Sequence, residues 1–292
     1  MKVPVSCARE HAPMTAFRQK FGPILQPMPV AITALVLLTA LGWGVMFAEA
    51  ITMASGAAAF MEALCAPADI LGSRSTAEML SRLGMAIGMW IAMSVAMMLP
   101  TASLLIVGFA DRVEKEVSDR AHAASPLAVA AGYLGIWVIV AVVAATAQAF
   151  ISAILSGIAL PPATATILAG AIIGAAGFYQ FSPLKRACLV TIRHPFSEER
   201  EAALTRNMAA FRLGLHQGVL CVGCCWAMMG LLVVLGAMNI LWMAIFAIIM
   251  AAEKMVDSQR LPNAIGVAMI IAGAALSVSA VGLAPLRDAI GL

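Results

Sequence analysis

The run Cys221-Val222-Gly223-Cys224-Cys225-Trp226 places three of the six cysteines within five positions, inside an apolar stretch from about residue 208 to 236. Ala or Leu could do any packing duty there, so the cluster points to soft-metal ligation or thiol redox chemistry. At 100° per residue on a helix, Cys221 and Cys225 are nearly aligned and Cys224 lies on the neighbouring edge of the same face. Three sulfurs can therefore converge on one point. His216, five residues earlier, is displaced around the axis and joins them only if the helix is irregular near Gly214, Gly218 or Gly223. The competing reading is packing, because Cys is a small hydrophobe and Gly214 to Gly218 has the spacing of a membrane-helix contact. A zinc ribbon is excluded by the lack of a second Cys pair at ligand spacing, and adjacent Cys224 and Cys225 pair badly with one another.

A second set of soft donors lies upstream. Met85, Met89, Met93 and Met97 recur every four residues and form one drifting stripe, with Met98 beside it just before Leu99-Pro100-Thr101. Thiol and thioether ligands together favour Cu(I), whereas Mg(II) or Ca(II) would need oxygen ligands that these segments hardly offer. The candidate metal ligands are thus Cys221, Cys224 and Cys225, with Met93 and Met97 as a second set, His216 as the weaker member, and copper as the ion. Met also fills irregular gaps, so a stripe among 20 Met is compatible with packing alone. Pro100 is expected to loosen its helix one turn back, near Ala96, and to free carbonyls there.

These residues sit in a chain that is 62% hydrophobic and 11% charged, far from the roughly 25% charged residues of soluble domains. The expected fold is all-α: a polytopic transmembrane helix bundle. About 20 apolar residues make one crossing, and seven segments qualify, near residues 30–49, 80–108, 127–155, 163–183, 208–235, 239–256 and 264–284. Residues 1–29 then form a cytoplasmic segment, 30–284 a single membrane domain and 285–292 a short tail. The breaks fall at Cys65-Ala66-Pro67, Asp111 to Arg120, Pro161-Pro162, Lys185 to Arg206, Gly236 to Asn239, and Asp257 to Pro262. The first 29 residues lack the short apolar core and cleavage site of a secretory signal, so no processed leader is expected.

Cytoplasmic loops carry the excess of Lys and Arg. With the N-terminus inside and seven spans, the inner segments collect Lys2, Arg9, Arg18, Lys20, Arg112, Lys115, Arg120, Lys185, Arg186, Arg193, Arg200, Arg206, Lys254 and Arg260, which is 14 of 18 basic residues. The C-terminus then lies outside. A fifth span starting near Met208 climbs about 1.5 Å per residue and carries Cys221 about 20 Å into the membrane. Gln148, Tyr179, Gln180, His216 and Gln217 are polar groups within spans that need partners. Glu253 and Lys254 close the sixth span, where pairing with each other or with Lys185 at a solvated interface is expected.

Several unusual words stand in a fixed order: Ala96-Met97-Met98-Leu99-Pro100-Thr101; Tyr179-Gln180-Phe181-Ser182-Pro183-Leu184-Lys185 followed by Cys188-Leu189; Cys221-Val222-Gly223-Cys224-Cys225-Trp226-Ala227-Met228-Met229; Met238-Asn239; and Glu253-Lys254. Over about residues 80 to 260 the chain resembles the bacterial family described as predicted metal-binding integral membrane proteins, a domain of unknown function. That resemblance implies a bacterial cytoplasmic (inner) membrane location and a metal role. The chain departs from the family pattern at Ile192, where a second Cys would follow Cys188, which puts a cytoplasmic two-cysteine site in doubt. His194 could substitute there, but a loop His beside Pro195 is more often solvated.

The partners expected are the lipid bilayer, a metal ion and, in one reading, another membrane complex. A net charge of +3, scattered along the chain, with no aromatic-basic platform, argues against nucleic acid. No phosphate-binding Gly-x-x-x-x-Gly-Lys loop is present, so ATP-driven pumping by this chain alone is not expected. The leading function is binding a soft metal, most plausibly copper, within the helix bundle for handling, transfer or transport. The alternative is a non-catalytic assembly or accessory subunit, for which Gly170, Gly174 and Gly177 would supply close helix contacts. A thiol redox enzyme is weaker, because Cys221 and Cys224 have Cys-x-x-Cys spacing but no thioredoxin-like pattern around them.

Overall fold

The computed structural model describes residues 27–54, 75–117, 123–156, 161–196, 202–235 and 240–290. These residues form helices and connections, with no strand among them. In order they are α1 (Pro27–Ala54), α2 (Thr76–Thr101), α3 (Ser103–Glu116), α4 (Pro126–Ser156), α5 (Pro162–Tyr179), α6 (Pro183–Arg193), α7 (Ala202–Thr205), α8 (Asn207–Leu235), α9 (Ile240–Met255) and α10 (Arg260–Ile290). Residues 1–26 of the expected cytoplasmic segment, the break at Cys65-Ala66-Pro67, and Gly236 to Asn239 lie outside the described residues.

Local sequence sets the helix ends. Ser75 caps α2, its Oγ accepting from Glu78 N at 3.2 Å. Ser182 does the same for α6, accepting from Lys185 N at 3.1 Å, with Pro183 at the first helical position. The turn Gln180-Phe181-Ser182 bends the chain by 56° between α5 and α6.

Among the described residues, five helices are long and apolar enough to cross a membrane: Pro27–Ala48, Thr76–Thr101, Pro126–Ile154, Asn207–Leu232 and Arg260–Val281; the bent α5–α6 pair makes six if it counts as one span. The expected count of seven needs α9, which has 16 residues, fewer than the about 20 of a full crossing. The expected second span also ends earlier. Its helix stops at Thr101, and Ala102 N–H bonds back to the Met98 and Leu99 carbonyls at 3.1 and 3.0 Å. The helix thus ends one residue beyond Pro100; residues 103–108 belong to α3, whose charged residues Asp111, Arg112, Lys115 and Glu116 mark it as a different kind of segment.

Close helix contacts are made where glycine removes the side chain. Helices α4 and α8 run side by side in the same direction, with Gly132 against the Phe211 backbone and Gly214 against the Val129 backbone. A Cβ at either position would collide with main chain rather than with a movable side-chain tip. A second seam joins α5 and α10, where Gly170 meets Gly273 and Gly177 meets Gly266. Both seams follow the small-residue logic of helix association in a lipid-like setting, where close approach supplies the attraction.

Because α8 approaches α4 backbone to backbone at Gly214, Gly214→Val should destabilise the protein by about 1–3 kcal/mol, as overpacking does. Thermal unfolding in detergent would show it as a lowered midpoint; an unchanged midpoint would refute the contact.

Candidate metal centre

Helix α8 delivers the three cysteines to the interior as its periodicity requires. Cys221, Cys224 and Cys225 are all buried, and their sulfurs lie within 4.8 Å of one another. The Cys221 and Cys225 sulfurs are 4.0 Å apart, and those of Cys224 and Cys225 are 3.2 Å apart. Cys224 Sγ also contacts the Cys221 carbonyl at 3.2 Å, which holds it along the helix.

The thioether that joins them is Met98, whose Sδ is 3.9 Å from Cys221 Sγ. Met93 and Met97 are buried in the core along the same helix. Met98 directly follows the every-four stripe, and the end of α2 turns it toward α8. His216 is exposed on another face of α8 and stands outside the sulfur group. The helix is regular through Gly214 and Gly218, so the irregular winding that would bring the ring round does not occur.

Two residues complete the surroundings of Cys221. Tyr133 of α4 donates its hydroxyl to Cys221 Sγ at 2.9 Å and lies 3.2 Å from the Met98 carbonyl. Lys254 of α9 donates to Cys221 Sγ at 3.0 Å and to Thr101 Oγ1 at 2.6 Å. Thr101 in turn donates to the Met98 carbonyl at 2.8 Å. A buried ammonium needs hydrogen-bond partners and a countercharge; the hydroxyl provides the first and the sulfur can provide the second. Four helices, α2, α4, α8 and α9, thus meet at one sulfur atom.

Of the expected partners at the end of α9, Lys185 is the one found for Glu253, while the solvated setting is corrected. Glu253 and Lys254 are 2% and 4% exposed, and they serve different neighbours. Glu253 Oε2 pairs with Lys185 Nζ of α6 at 2.8 Å, and Lys185, 1% exposed, also donates to Gln180 Oε1. Arg193 closes this end by donating to the Glu253 carbonyl at 2.7 Å and to Asp257 at 3.1 Å. The second tyrosine, Tyr179, donates to the Gly223 carbonyl and stacks edge-on with Trp226 at 5.0 Å between centroids. Cys188 of α6 is buried against the same turn: a Cβ on Gly223 would come within 2.8 Å of its sulfur.

The cluster lies toward the end of the bundle that carries Asp257. Cys221 touches Lys254, three residues before Asp257, whose side chain is 78% exposed. From Cys221 to Leu235 is about 21 Å of helix, close to the about 24 Å of α9 that runs back along it. The first half of α8, from Asn207, packs with α4 and α7.

The metal-centre geometry suits a soft ion. A sulfur–metal bond of about 2.3 Å, as for zinc thiolates, sets the sulfurs of a trigonal site about 4 Å apart. The Cys221···Cys225 and Cys221···Met98 separations match that spacing, while Cys224 sits closer to Cys225 than it requires. Apolar helices enclosing a thiol and thioether cluster define a helix-bundle protein equipped for a soft metal. The family model described as PpoB2, copper chaperone, matches residues 87–276, and the chain belongs to that family. Neither a curated protein nor a solved structure matches it.

Lys185→Met should cost about 3–5 kcal/mol, because it strands the Glu253 carboxylate in the interior. Adding Glu253→Gln should recover most of that loss. Denaturant unfolding of both variants in detergent checks this, and a single variant as stable as the double would contradict the pairing.

Proposed function

We propose that this protein is an integral membrane copper chaperone that holds Cu(I) on Cys221, Cys225 and Met98, with Cys224 as the sulfur through which the ion changes partners. The observation that carries this reading is the convergence of three buried cysteine sulfurs with a thioether 3.9 Å from Cys221, in a member of a copper-chaperone family. Charge supports the ion. One Cu(I), two thiolates and the Lys254 ammonium sum to zero, which a site shielded from water favours. Soft donors favour Cu(I) over oxygen-seeking cations.

Membrane insertion is the natural setting. Apolar side chains such as Val36, Leu37, Leu41, Ile139 and Val143 are exposed on α1 and α4, as lipid-facing positions would be. In the bacterial inner membrane the Lys and Arg distribution puts the N-terminus inside. The end bearing Arg193 and Asp257 then faces the cytoplasm, and the copper site lies just within that face. Helix α9 completes a seventh, short crossing. Of the glycines that the accessory-subunit alternative draws on, Gly170 and Gly177 already face α10 of the same chain.

Detergent-purified protein loaded anaerobically with Cu(I) should retain about one copper, and the Cys221, Cys224 and Cys225 triple Ser variant should retain none by plasma mass spectrometry. Met98→Leu should weaken Cu(I) binding at least tenfold, about 1.4 kcal/mol, in competition with a chromogenic chelator, while Met93→Leu should leave it unchanged. Copper retention by the triple variant would overturn the site, and the reverse pattern for the two Met variants would overturn the ligand assignment.

A further inference from the structure

Cu(I) in a thiol-rich compartment travels on sulfur and moves by ligand exchange, so a chaperone needs a place where an incoming sulfur ligand meets its own. A cavity of about 370 Å³ reaches Cys221 from the end of the bundle that carries Arg193 and Asp257. Of the three clustered cysteines, Cys221 alone lines it. The volume is at the lower end of small-ligand sites, the scale of a short peptide rather than of a folded domain.

The walls of this cavity carry donors in excess of acceptors. Gln217, 2% exposed, has an amide nitrogen with no acceptor in the protein, and Arg193, whose side chain is 5% exposed, has Nε in the same condition. Lys254 gives two of its three ammonium protons to Thr101 and Cys221. The carboxylate in the lining is Asp257, already engaged by Arg193 at 3.1 Å. Buried donors of this kind are complemented by carboxylates and carbonyls. The protein thus has, in one cavity, a sulfur for soft-metal exchange and unmet donors for an anionic, carbonyl-rich molecule.

We propose that this cavity binds a small anionic peptide thiol of the glutathione type and that Cu(I) passes between its sulfur and Cys221. The exchange is redox-neutral. A bond forms between copper and the Cys221 sulfur as the carrier's copper–sulfur bond breaks, and the displaced thiolate leaves with the proton that Cys225 gives up on becoming the second thiolate ligand. Gln217 and Arg193 hold the carrier's carboxylates and carbonyls, and Lys254 adds the positive charge beside the exchanging sulfurs. This proposal rests on the copper-chaperone reading for its purpose, but the binding itself can be measured without metal.

The test is equilibrium dialysis of labelled S-methylglutathione, which has the charges of the carrier and no free thiol, against the detergent-purified full chain without copper. Saturable retention is expected, weakened at least fivefold by Gln217→Leu and strengthened several-fold by Asp257→Asn, which removes the competing carboxylate at an exposed position. A gain from Asp257→Asn cannot come from misfolding. The diethyl ester of the same molecule should not be retained. Absence of saturable retention, or equal retention of the charged and esterified forms, would overturn the proposal. Retention of S-methylglutathione by a protein that binds no copper would instead overturn the chaperone reading and leave the cavity assignment standing.

Discussion

The buried ammonium of Lys254 is the constraint to which the rest of the site conforms. An ammonium taken out of water needs acceptors on several sides, and α9 by itself supplies none at that position. Its partners come from other helices: the Thr101 hydroxyl at the end of α2 and the Cys221 sulfur in the middle of α8. Thr101 is available because Pro100 and Ala102 close α2 there, and Tyr133 of α4 reaches the same sulfur beside the Met98 carbonyl. Polar bonds thus fix the relative heights of four apolar helices. Apolar packing alone would leave those heights easy to slide, since one Leu or Ala contact resembles the next.

Glycine determines how near these helices come. The backbone approach of α4 to α8 at Gly132 and Gly214 brings Tyr133 within reach of Cys221, about two turns further along α8. On the other flank Gly223 leaves room for Cys188 and turns its carbonyl to Tyr179. Both tyrosines of the chain therefore bond to the segment that carries the cysteines. An aromatic residue so scarce, used twice on one stretch of helix, braces that stretch from both sides.

The helical character and the Cys face were legible in the sequence because both follow from short-range periodicity. A 100° step per residue settles which of Cys221, Cys224 and Cys225 share a face, and the apolar runs mark the helices that contain them. Partners from distant helices were not legible. Met98 rather than Met93 or Met97 meets the cluster, and no periodicity within that segment reveals the choice. A terminal Glu-Lys pair is usually solvated, which hides Lys254; its place after a long apolar run, 33 residues beyond Cys221, is the available signal. Tyr133 offered only its rarity.

Glu253 and Lys254 are consecutive, so they leave α9 about 100° apart and face different neighbours. One sees the Lys185 ammonium, the other the Cys221 sulfur. A slip of α9 by a single residue would bring either Lys254 toward Lys185 or Glu253 toward the cysteine sulfurs, according to its direction, turning one attraction into a repulsion and leaving the other contact to an apolar neighbour, Met255 or Ala252. The order of these two charges therefore encodes the rotational setting of the helix. A reversed pair would have the same composition and hydropathy, yet it would specify a different orientation of α9.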